Sequence, residues 1–241
     1  MSKIALITGG NRGLGRATAL ALIDAGVEVI YTHRGDPGEK IEAVDLPLTV
    51  GDLGSYDRFE TALREVLADR FGRTDLDFLI NNAGVGHAGK IADTSVEAFD
   101  ELFDVHFRGV FFLTQKLLPL IADGGRIVNL STGLTRFTGE GVYGAYASMK
   151  GAVEVFTRYL AKEVGPRGIT ANVVAPGPTA TEFGGGYLRD DERLRAQLGG
   201  LTAMGRVGEP AEIAGVIAAL VGDGTGWVTG QRIEASGGML L

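Results

Sequence analysis

Short apolar runs alternate with longer amphipathic segments along the whole chain, and this alternation limits the fold more than any other feature of the sequence. Each run has the length of a buried strand, and segments of helical length separate most of them. The runs are Ile4 to Ile7, Val27 to Tyr31, Phe78 to Ile80, Ile127 to Leu130, Thr170 to Ala175 and Gln231 to Glu234. Strands that are apolar on both faces are typical of parallel sheets, whose crossovers need helices. We therefore expect an α/β fold: a doubly wound parallel sheet with helices on both faces, in a single domain over residues 1–241.

Two segments depart from the alternation. The turn-forming residues 35–38 (Gly-Asp-Pro-Gly) follow Arg34 and leave little chain before the apolar residues that begin at Leu46. We expect the helix between them to be a single turn. Residues 177–208 combine three consecutive glycines, which begin at Gly184, with a polar run. This second segment is the expected substrate lid within the same domain.

Composition excludes several classes of protein. The 241 residues are 45% hydrophobic and 22% charged, which is globular composition, and a net charge of −7 argues against broad electrostatic binding to nucleic acid or anionic membranes. A chain without cysteine has no disulfides or thiolate metal sites, and three histidines leave little for a zinc centre, so we expect no metal. No apolar run reaches the length of a membrane span or of a signal peptide. We expect a soluble, cytoplasmic protein.

Glycine makes up 38 of the 241 residues, and several follow the first predicted strand in the sequence Thr-Gly-Gly-Asn-Arg-Gly-Leu-Gly, before a good helix sequence. Residues without Cβ let the backbone approach a pyrophosphate, and the free N–H groups at the start of the helix attract it. The predicted dinucleotide contacts in this loop are Gly9, Asn11, Arg12, Gly13, Leu14 and Gly15. The order of strand, glycine loop and helix favours a Rossmann-like sheet; the alternative is an ordinary turn in a glycine-rich chain.

The end of the second predicted strand distinguishes two dinucleotides. An acidic residue there usually holds the free ribose 2′-OH of NAD, whereas arginine accommodates the 2′-phosphate of NADP. This chain has His33 and Arg34, with no carboxylate before Asp36, and Arg12 lies in the glycine loop. Two guanidinium groups can bind one phosphate through charge-assisted hydrogen bonds, so we favour NADP over NAD. The alternative is that both arginines are solvated surface charges.

With these motifs in this order, the sequence resembles the short-chain dehydrogenase/reductase family from Lys3 to about Met239. The resemblance implies an adenine contact at Asp52 and Leu53, and a cofactor cleft beside the Asn-Asn-Ala-Gly sequence that ends at Gly84. The further cofactor residues that it implies are Asn82, Ala83, Gly84, Pro176, Gly177, Thr179 and Thr181.

Tyr146 and Lys150 match the Tyr-x-x-x-Lys pair of this family, and their spacing places them on one face of a predicted helix. An ammonium beside a phenol favours the phenolate, so we expect Lys150 to lower the Tyr146 pKa toward neutrality and Tyr146 to be the general acid and base. Both residues are also expected to contact the cofactor. The hydroxyl that orients the substrate carbonyl follows the fifth strand in this family, where Ser131 and Thr132 both qualify. We favour Thr132 because of its position at the strand end.

His106 stands where the family usually has asparagine. In the family that residue supports a water-mediated proton relay to the lysine, partly through its backbone carbonyl, which a histidine retains. The imidazole ring is itself a group that relays protons. The alternative is a buried packing histidine.

These residues together imply an NADP(H)-dependent oxidoreductase that transfers hydride between the nicotinamide and a carbonyl or alcohol substrate. One alternative is a 3-oxoacyl thioester reductase of the same family, and another is a non-catalytic NADP-binding regulatory or scaffold protein. Specificity is expected in residues 177–208 and around His87 to Lys90. Candidate residues for an apolar pocket are Phe137, Phe183, Tyr187 and Leu188.

The family is commonly tetrameric, so the resemblance implies a homotetramer or homodimer. The apolar sequences Phe111 to Leu113 and 237–241 are candidate interfaces, because exposed apolar groups would otherwise be a liability. Core packing is the alternative role for both.

Overall fold

In the computed structural model, which describes residues 2–241, a parallel sheet of seven strands runs through the molecule. The strands are β1 (Ile4–Ile7), β2 (Glu28–His33), β3 (Val44–Pro47), β4 (Leu76–Asn81), β5 (Ile121–Leu130), β6 (Thr170–Pro176) and β7 (Arg232–Ala235). Their spatial order is β3-β2-β1-β4-β5-β6-β7. This order confirms the predicted doubly wound Rossmann-like sheet. Strand order runs outward in one direction from β1 and in the other from β4, and such sheets bind ligands at the point between these two strands.

The helices cover both faces of the sheet. They are α1 (Gly13–Asp24), α2 (Tyr56–Phe71), α3 (Val96–Phe103), α4 (Gly109–Leu117), α5 (Gly144–Val164), α6 (Tyr187–Asp190), α7 (Glu192–Gly199) and α8 (Pro210–Val221). One apolar core joins the sheet to α2, α4 and α5, and a second core on the opposite face joins it to α1 and α8. Because the strands are buried on both faces, they are apolar throughout, as the sequence indicates. No helix within residues 2–241 is long and apolar enough to span a membrane.

The connection from β2 to β3 differs from the expectation of a single helical turn, which is wrong. Residues 34–43 contain bends and no helix. Gly35 and Gly38 adopt φ values of 107° and 75°, in the left-handed region, and Pro37 lies between them. A helix cannot continue through this conformation, so the connection crosses to β3 as an irregular loop.

Residues 177–208 leave the sheet after β6 and contain the short helices α6 and α7. A 3-10 turn, Phe183–Gly185, precedes them, and Gly184, Gly185 and Gly186 all have positive φ. The segment predicted to be a lid is therefore a partly helical excursion at the carboxyl edge of the sheet.

Candidate active site

A cleft of about 1230 Å³ opens at the carboxyl edge of the sheet, over the point where the strand order reverses. It is larger than the roughly 300–1,000 Å³ of a typical small-ligand pocket, so it has room for two ligands side by side. The predicted site residues that line it are Gly9, Asn11, Arg12, Gly13, Leu14, His33, Arg34, Asn82, Ala83, Gly84, His106, Ser131, Thr132, Tyr146, Lys150, Pro176, Gly177, Thr179 and Thr181. The fold thus brings most of the sequence-predicted residues to one place.

The glycine loop is fixed to the end of β4 by a compact set of hydrogen bonds. The Thr8 hydroxyl oxygen accepts from the backbone N–H groups of Asn82 at 2.9 Å and of Ala83 at 3.0 Å, and the Asn82 amide donates to the Thr8 carbonyl at 2.9 Å. Gly15 does not line the cleft, but a Cβ there would lie 2.1 Å from the Gly9 carbonyl oxygen. Its role is therefore to let the first turn of α1 pack against the loop.

One end of the cleft carries two guanidinium groups that no acidic side chain neutralises. Arg12 and Arg34 are exposed and line the cleft, and within residues 2–241 neither side chain has a hydrogen-bond or ion-pair partner. Arg16, one turn along α1, is instead paired with Glu39 at 2.8 Å and lies outside the cleft lining. The unpaired arginines make this end a site for an anion.

His33 lies at the same end of the cleft and is buried. Its Nε2 is 3.2 Å from a carboxylate oxygen of Asp45, and its Nδ1 has no hydrogen-bond partner in the part of the chain that the structure describes. A buried polar atom without a partner is unusual in a folded protein. The ring therefore offers one free hydrogen-bonding atom where the sequence predicts the adenosine ribose.

Two predicted cofactor residues, Asp52 and Leu53, lie outside the cleft lining. Asp52 accepts a hydrogen bond from the Gly54 N–H at 3.1 Å and caps a short 3-10 turn. The chain reaches the cleft slightly earlier, with Leu48, Thr49 and Val50, which the sequence analysis did not single out. The adenine contact at Asp52 stays a prediction.

The side chains of Tyr146 and Lys150 are buried on α5, and the Lys150 Nζ lies 5.9 Å from the centroid of the Tyr146 ring. The Lys150 ammonium donates to the Leu130 carbonyl at 2.7 Å, and burial lowers the pKa of Lys150 to about 7. Burial raises the pKa of Tyr146 above its ordinary value, and the Thr132 hydroxyl opposes this only in part. The expected lowering of the Tyr146 pKa by Lys150 is therefore not what the structure shows, because desolvation outweighs the neighbouring groups. At neutral pH Tyr146 is a protonated phenol.

The two hydroxyls after β5 have different surroundings. Ser131 donates its hydrogen to Oε1 of Glu154 at 2.6 Å, and the same oxygen accepts from Thr135 at 2.7 Å and from Arg232 at 2.8 Å. The Thr132 oxygen accepts a weak bond from the Leu134 N–H at 3.3 Å, which leaves its own hydrogen available. Ser131 is thus held by a carboxylate, whereas the Thr132 hydroxyl keeps its hydrogen for a substrate.

His106 occupies a π-helical turn, Asp104–Arg108, that joins α3 to α4. Its ring is fully buried, with its centroid 5.0 Å from that of Tyr146 in an edge-on arrangement. Nε2 lies 2.7 Å from the Val85 carbonyl oxygen and 3.2 Å from the Val85 N–H. We assign the proton to Nε2 from the shorter contact, and Nδ1 has no partner within residues 2–241. Burial, together with the charge of Lys150, lowers the pKa of His106 to about 3, so the ring is neutral. π-turns are frequent at functional sites, and nothing in the sequence pattern indicated this one.

The other end of the cleft is mainly apolar, and the polar residues Arg136, Thr138, Glu140, Glu182 and Gln197 also belong to the lining. The predicted pocket residues Phe137, Phe183, Tyr187 and Leu188 all line it. The ring centroids of Phe183 and Tyr146 are 5.8 Å apart, and the two rings are tilted by 46°. Residues 87–90 do not line it. Further lining residues that the sequence analysis missed are Leu134, Tyr143, Leu194, Leu198, Leu201, Met239 and Leu240.

Comparison with known proteins agrees with this geometry. A family model described as enoyl-(acyl carrier protein) reductase matches residues 9–240. A solved short-chain dehydrogenase/reductase from Serratia marcescens superposes with a TM-score of 0.88 at 31% identity, covering 99% of this chain and 98% of its own. The chain belongs to the short-chain dehydrogenase/reductase family.

Two further similar proteins have more specific descriptions. The angucycline C-6 ketoreductase LanV, solved with bound NADP, has a TM-score of 0.90 at 37% identity and covers 99% of this chain and 95% of its own. An NADPH-dependent aldehyde reductase-like chloroplastic protein of Arabidopsis thaliana is 35% identical over 98% of this chain and 93% of its own.

Proposed function

We propose that this short-chain dehydrogenase/reductase is an NADPH-dependent reductase of apolar carbonyl compounds, with Tyr146 as proton donor. One observation supports this most: a single cleft holds a protonated buried phenol, a donor hydroxyl at Thr132, a glycine loop and two unpaired guanidinium groups. Each element has a separate task in carbonyl reduction, and in the reverse oxidation of an alcohol.

The residues of the cleft fit NADP better than NAD. The glycine loop, with Asn82 to Gly84 opposite, would hold the pyrophosphate and the nicotinamide half, and Arg12 and Arg34 would hold the 2′-phosphate. Pro176, Gly177, Thr179 and Thr181 would contact the nicotinamide side. When bound, the cofactor would supply hydride to the carbonyl carbon. The NADP-bound LanV structure and the NADPH-dependent relative support the same choice.

The proton chemistry belongs to this chain's own residues. The Thr132 hydroxyl donates to the substrate carbonyl oxygen and orients it, and it stabilises the negative charge that develops there. The Tyr146 phenol then gives its proton to that oxygen, which completes an alcohol. The Lys150 Nζ lies 5.9 Å from the Tyr146 ring centroid, and burial lowers its pKa to about 7, so Lys150 is the group that would resupply the proton.

His106 replaces the usual asparagine as an organiser of the site. Its neutral ring holds the Val85 carbonyl through Nε2 and turns an edge toward Tyr146, and its free Nδ1 is a proton acceptor in the cleft wall. We propose that Nδ1 accepts a hydrogen bond from a water that connects Lys150 to solvent. Burial and the charge of Lys150 lower the pKa of His106 to about 3, so the ring is a neutral acceptor near neutral pH.

The apolar end of the cleft indicates the substrate class. Aromatic and aliphatic side chains line the cleft beside Tyr146, and two of the charged side chains in the same lining are ion-paired, Arg136 with Glu234 and Glu182 with Arg189. LanV, a ketoreductase of angucyclines, has 37% identity to this chain. We propose ketones with fused or substituted aromatic rings as the substrate class.

The decisive experiment compares wild type with Tyr146→Phe. The variant should lose at least about a hundredfold in NADPH-dependent ketone reduction while its NADPH affinity, followed by fluorescence titration, stays within about twofold. Turnover close to wild type would remove Tyr146 from the mechanism. If the wild type binds NADPH but reduces no ketone, no aldehyde and no 3-oxoacyl thioester, the scaffold alternative replaces the enzyme.

We also propose that the protein is a homotetramer or homodimer in the cytoplasm. Phe112 on α4, together with Val155 and Tyr159 one turn apart on α5, leaves an exposed apolar strip, and the Trp227 side chain is 99% exposed. Leu113, from the first candidate interface, is instead buried, and Met239, from the second, is buried as well. Sedimentation at micromolar concentration tests the assembly, and a single monomeric species would contradict it. Cell fractionation tests the location.

A further inference from the structure

Residues 236–241, here called the tail segment, form one wall of the cleft. Met239 and Leu240 line the same cavity as Tyr146 and Thr132, and Met239 is buried. The segment is joined to the end of the lid region: the Ala203 N–H donates to the Gly238 carbonyl at 3.1 Å, and the Leu240 N–H donates to the Leu201 carbonyl at 3.0 Å. Backbone hydrogen bonds therefore hold this wall against residues 201 and 203.

Arg136 holds the tail segment from the opposite side. Its guanidinium donates to the Met239 carbonyl, and to the Leu240 carbonyl at 3.3 Å, while it pairs with both carboxylate oxygens of Glu234 at 2.7 and 2.6 Å. A planar guanidinium that donates hydrogen bonds to a carboxylate and to two carbonyls is restricted to one orientation. Arg136 thus fixes the position of two consecutive peptide groups beside the cleft.

The backbone at Leu240 is in the left-handed region, with φ at 52°, and no other non-glycine residue within 2–241 has a positive φ. Leucine adopts this conformation reluctantly, whereas glycine adopts it freely, and the preceding Gly237 and Gly238 do so at 62° and 72°. A strained residue persists only where its surroundings enforce it, and such residues cluster at functional sites. The Leu240 side chain is therefore placed at the cleft against the preference of its own backbone.

We propose that Leu240 is a specificity-determining residue that limits the size of the group attached to the carbonyl, and that Arg136 is its positioning residue. This inference rests on the proposed carbonyl reduction in the same cleft. The Leu240 side chain lines the cleft and is 44% exposed, so a larger ring bound beside Tyr146 would meet it, and the Arg136 contacts hold the backbone that carries it.

The same ion pairs connect this wall to the catalytic hydroxyl. Glu234 also accepts from Arg232 at 3.0 Å, and Arg232 donates to the Thr132 carbonyl at 3.3 Å and to Glu154 on α5 at 2.8 Å. The carbonyl-orienting residue and the size-limiting wall are thus fixed by one continuous set of charged groups. These contacts restrain the separation of the two residues, as size selection requires.

The test uses a series in which the ketone grows by one ring at a time: acetophenone, 2-acetylnaphthalene and 2-acetylanthracene. In Leu240→Gly, the ratio of kcat/KM for the largest ketone to that for the smallest should rise about tenfold or more, and in Leu240→Trp it should fall. The control is Leu241→Gly, since Leu241 is 96% exposed and outside the cleft lining. Glycine accepts the left-handed backbone, so Leu240→Gly should keep its Tm and its NADPH affinity.

Arg136→Lys keeps the charge but loses the planar fork, and it should move the ratio in the same direction by a smaller factor. If Arg136 acts through Leu240, the double variant with Leu240→Gly should show no more change than Leu240→Gly alone. Additive effects would overturn the role of Arg136. A ratio that stays within twofold of wild type in both Leu240 variants, or that shifts equally in Leu241→Gly, would overturn the role of Leu240.

Calorimetric titration of the three ketones into the NADP⁺-loaded protein separates this inference from the proposed function. It measures the Kd of each ketone, and therefore size selection, without turnover. Ketones that bind with the selectivity changed in Leu240→Gly but are never reduced would refute the reductase and support the wall. Failure of the wild type to bind any of the three would overturn the inference.

Discussion

Replacement of Arg34 by alanine should reduce the preference of this enzyme for NADPH over NADH about tenfold, with Arg12 retaining part of that preference. Arg34 and Arg12 are unpaired and line the cleft, so a 2′-phosphate would form charge-assisted hydrogen bonds with both. A hydrogen bond to a charged group contributes about 1.5–3 kcal/mol, and exposure of both guanidiniums to solvent favours the lower end. About 1.5 kcal/mol corresponds to roughly a tenfold weaker Kd for NADPH.

The assay is fluorescence titration of NADPH and NADH against wild type and variants, at low and at high salt. Arg34→Ala should weaken NADPH about tenfold and leave NADH within about twofold, and the difference should shrink in salt because exposed charges are screened. Arg16→Ala is the matched control, since its guanidinium pairs with Glu39 at 2.8 Å and lies outside the cleft lining. Combined with Arg12→Ala, the loss should be less than the product of the single losses, because both side chains bind one phosphate.

Two results would refute this reasoning. If NADH weakened as much as NADPH in Arg34→Ala, the side chain would support the loop and not the phosphate. If wild type bound NADH as tightly as NADPH, the two guanidiniums would be ordinary solvated charges.

Two further predictions concern the residues beside Tyr146. Thr132→Ala should lower kcat about a hundredfold in stopped-flow assays, because a donor to the developing oxyanion is lost. Ser131→Ala should keep kcat within a few-fold and lower the Tm in thermal unfolding, because Glu154 loses a hydrogen bond. Equal losses of kcat in the two variants would contradict the assignment. His106→Asn should retain more than a tenth of the wild-type kcat, since asparagine also supplies a neutral acceptor. In His106→Leu, kcat should fall more than tenfold while the NADPH affinity stays unchanged. If steady-state kinetics show equal losses of kcat in both variants, His106 is only a packing residue.

The fold could be predicted from the sequence because its information is local. Apolar runs of strand length, separated by helical segments, specify a parallel sheet wherever they occur, and the observed strands include every predicted one. The connection after β2 was the exception. A turn cluster indicates where a helix must stop, but whether a single turn still forms depends on how the loop packs against the glycine loop, for instance through the Asn11 amide bonded to the Asp36 carbonyl at 3.0 Å.

The proposed catalytic residues were predictable only as candidates, since their protonation and partners depend on the tertiary structure. The sequence could not separate Ser131 from Thr132, because the carboxylate that engages Ser131 comes from Glu154, 23 residues later. The direction of the Tyr146 pKa was wrong for a related reason. The spacing from Lys150 is visible in the sequence, but the burial that outweighs it is not.

The tail segment illustrates a third limit. The sequence Gly-Gly-Met-Leu-Leu of residues 237–241 does not indicate a cleft wall, and the sequence analysis predicted an interface or core role for these residues. Its position depends on Arg136, about one hundred residues earlier, and on the register of the Thr202 to Met239 bridge. Long-range polar contacts of this kind set the shape of a substrate site and leave no local pattern.

The protonation states in the cleft predict how the reduction rate depends on pH. Tyr146, with its pKa raised, keeps its proton throughout the neutral range, and His106, with a pKa of about 3, stays neutral. Lys150 is then the group in the catalytic set that titrates near neutrality, since burial lowers its pKa to about 7. If its ammonium resupplies the phenol, initial rates of reduction at saturating NADPH should be highest below about pH 6 and fall as Lys150 loses its proton, with half of the activity lost near pH 7. In Lys150→Arg the cation persists at every accessible pH, so whatever activity remains should not fall between pH 6 and pH 9. A flat wild-type profile, or a decline that survives in Lys150→Arg, would show that the proton reaches Tyr146 by another route.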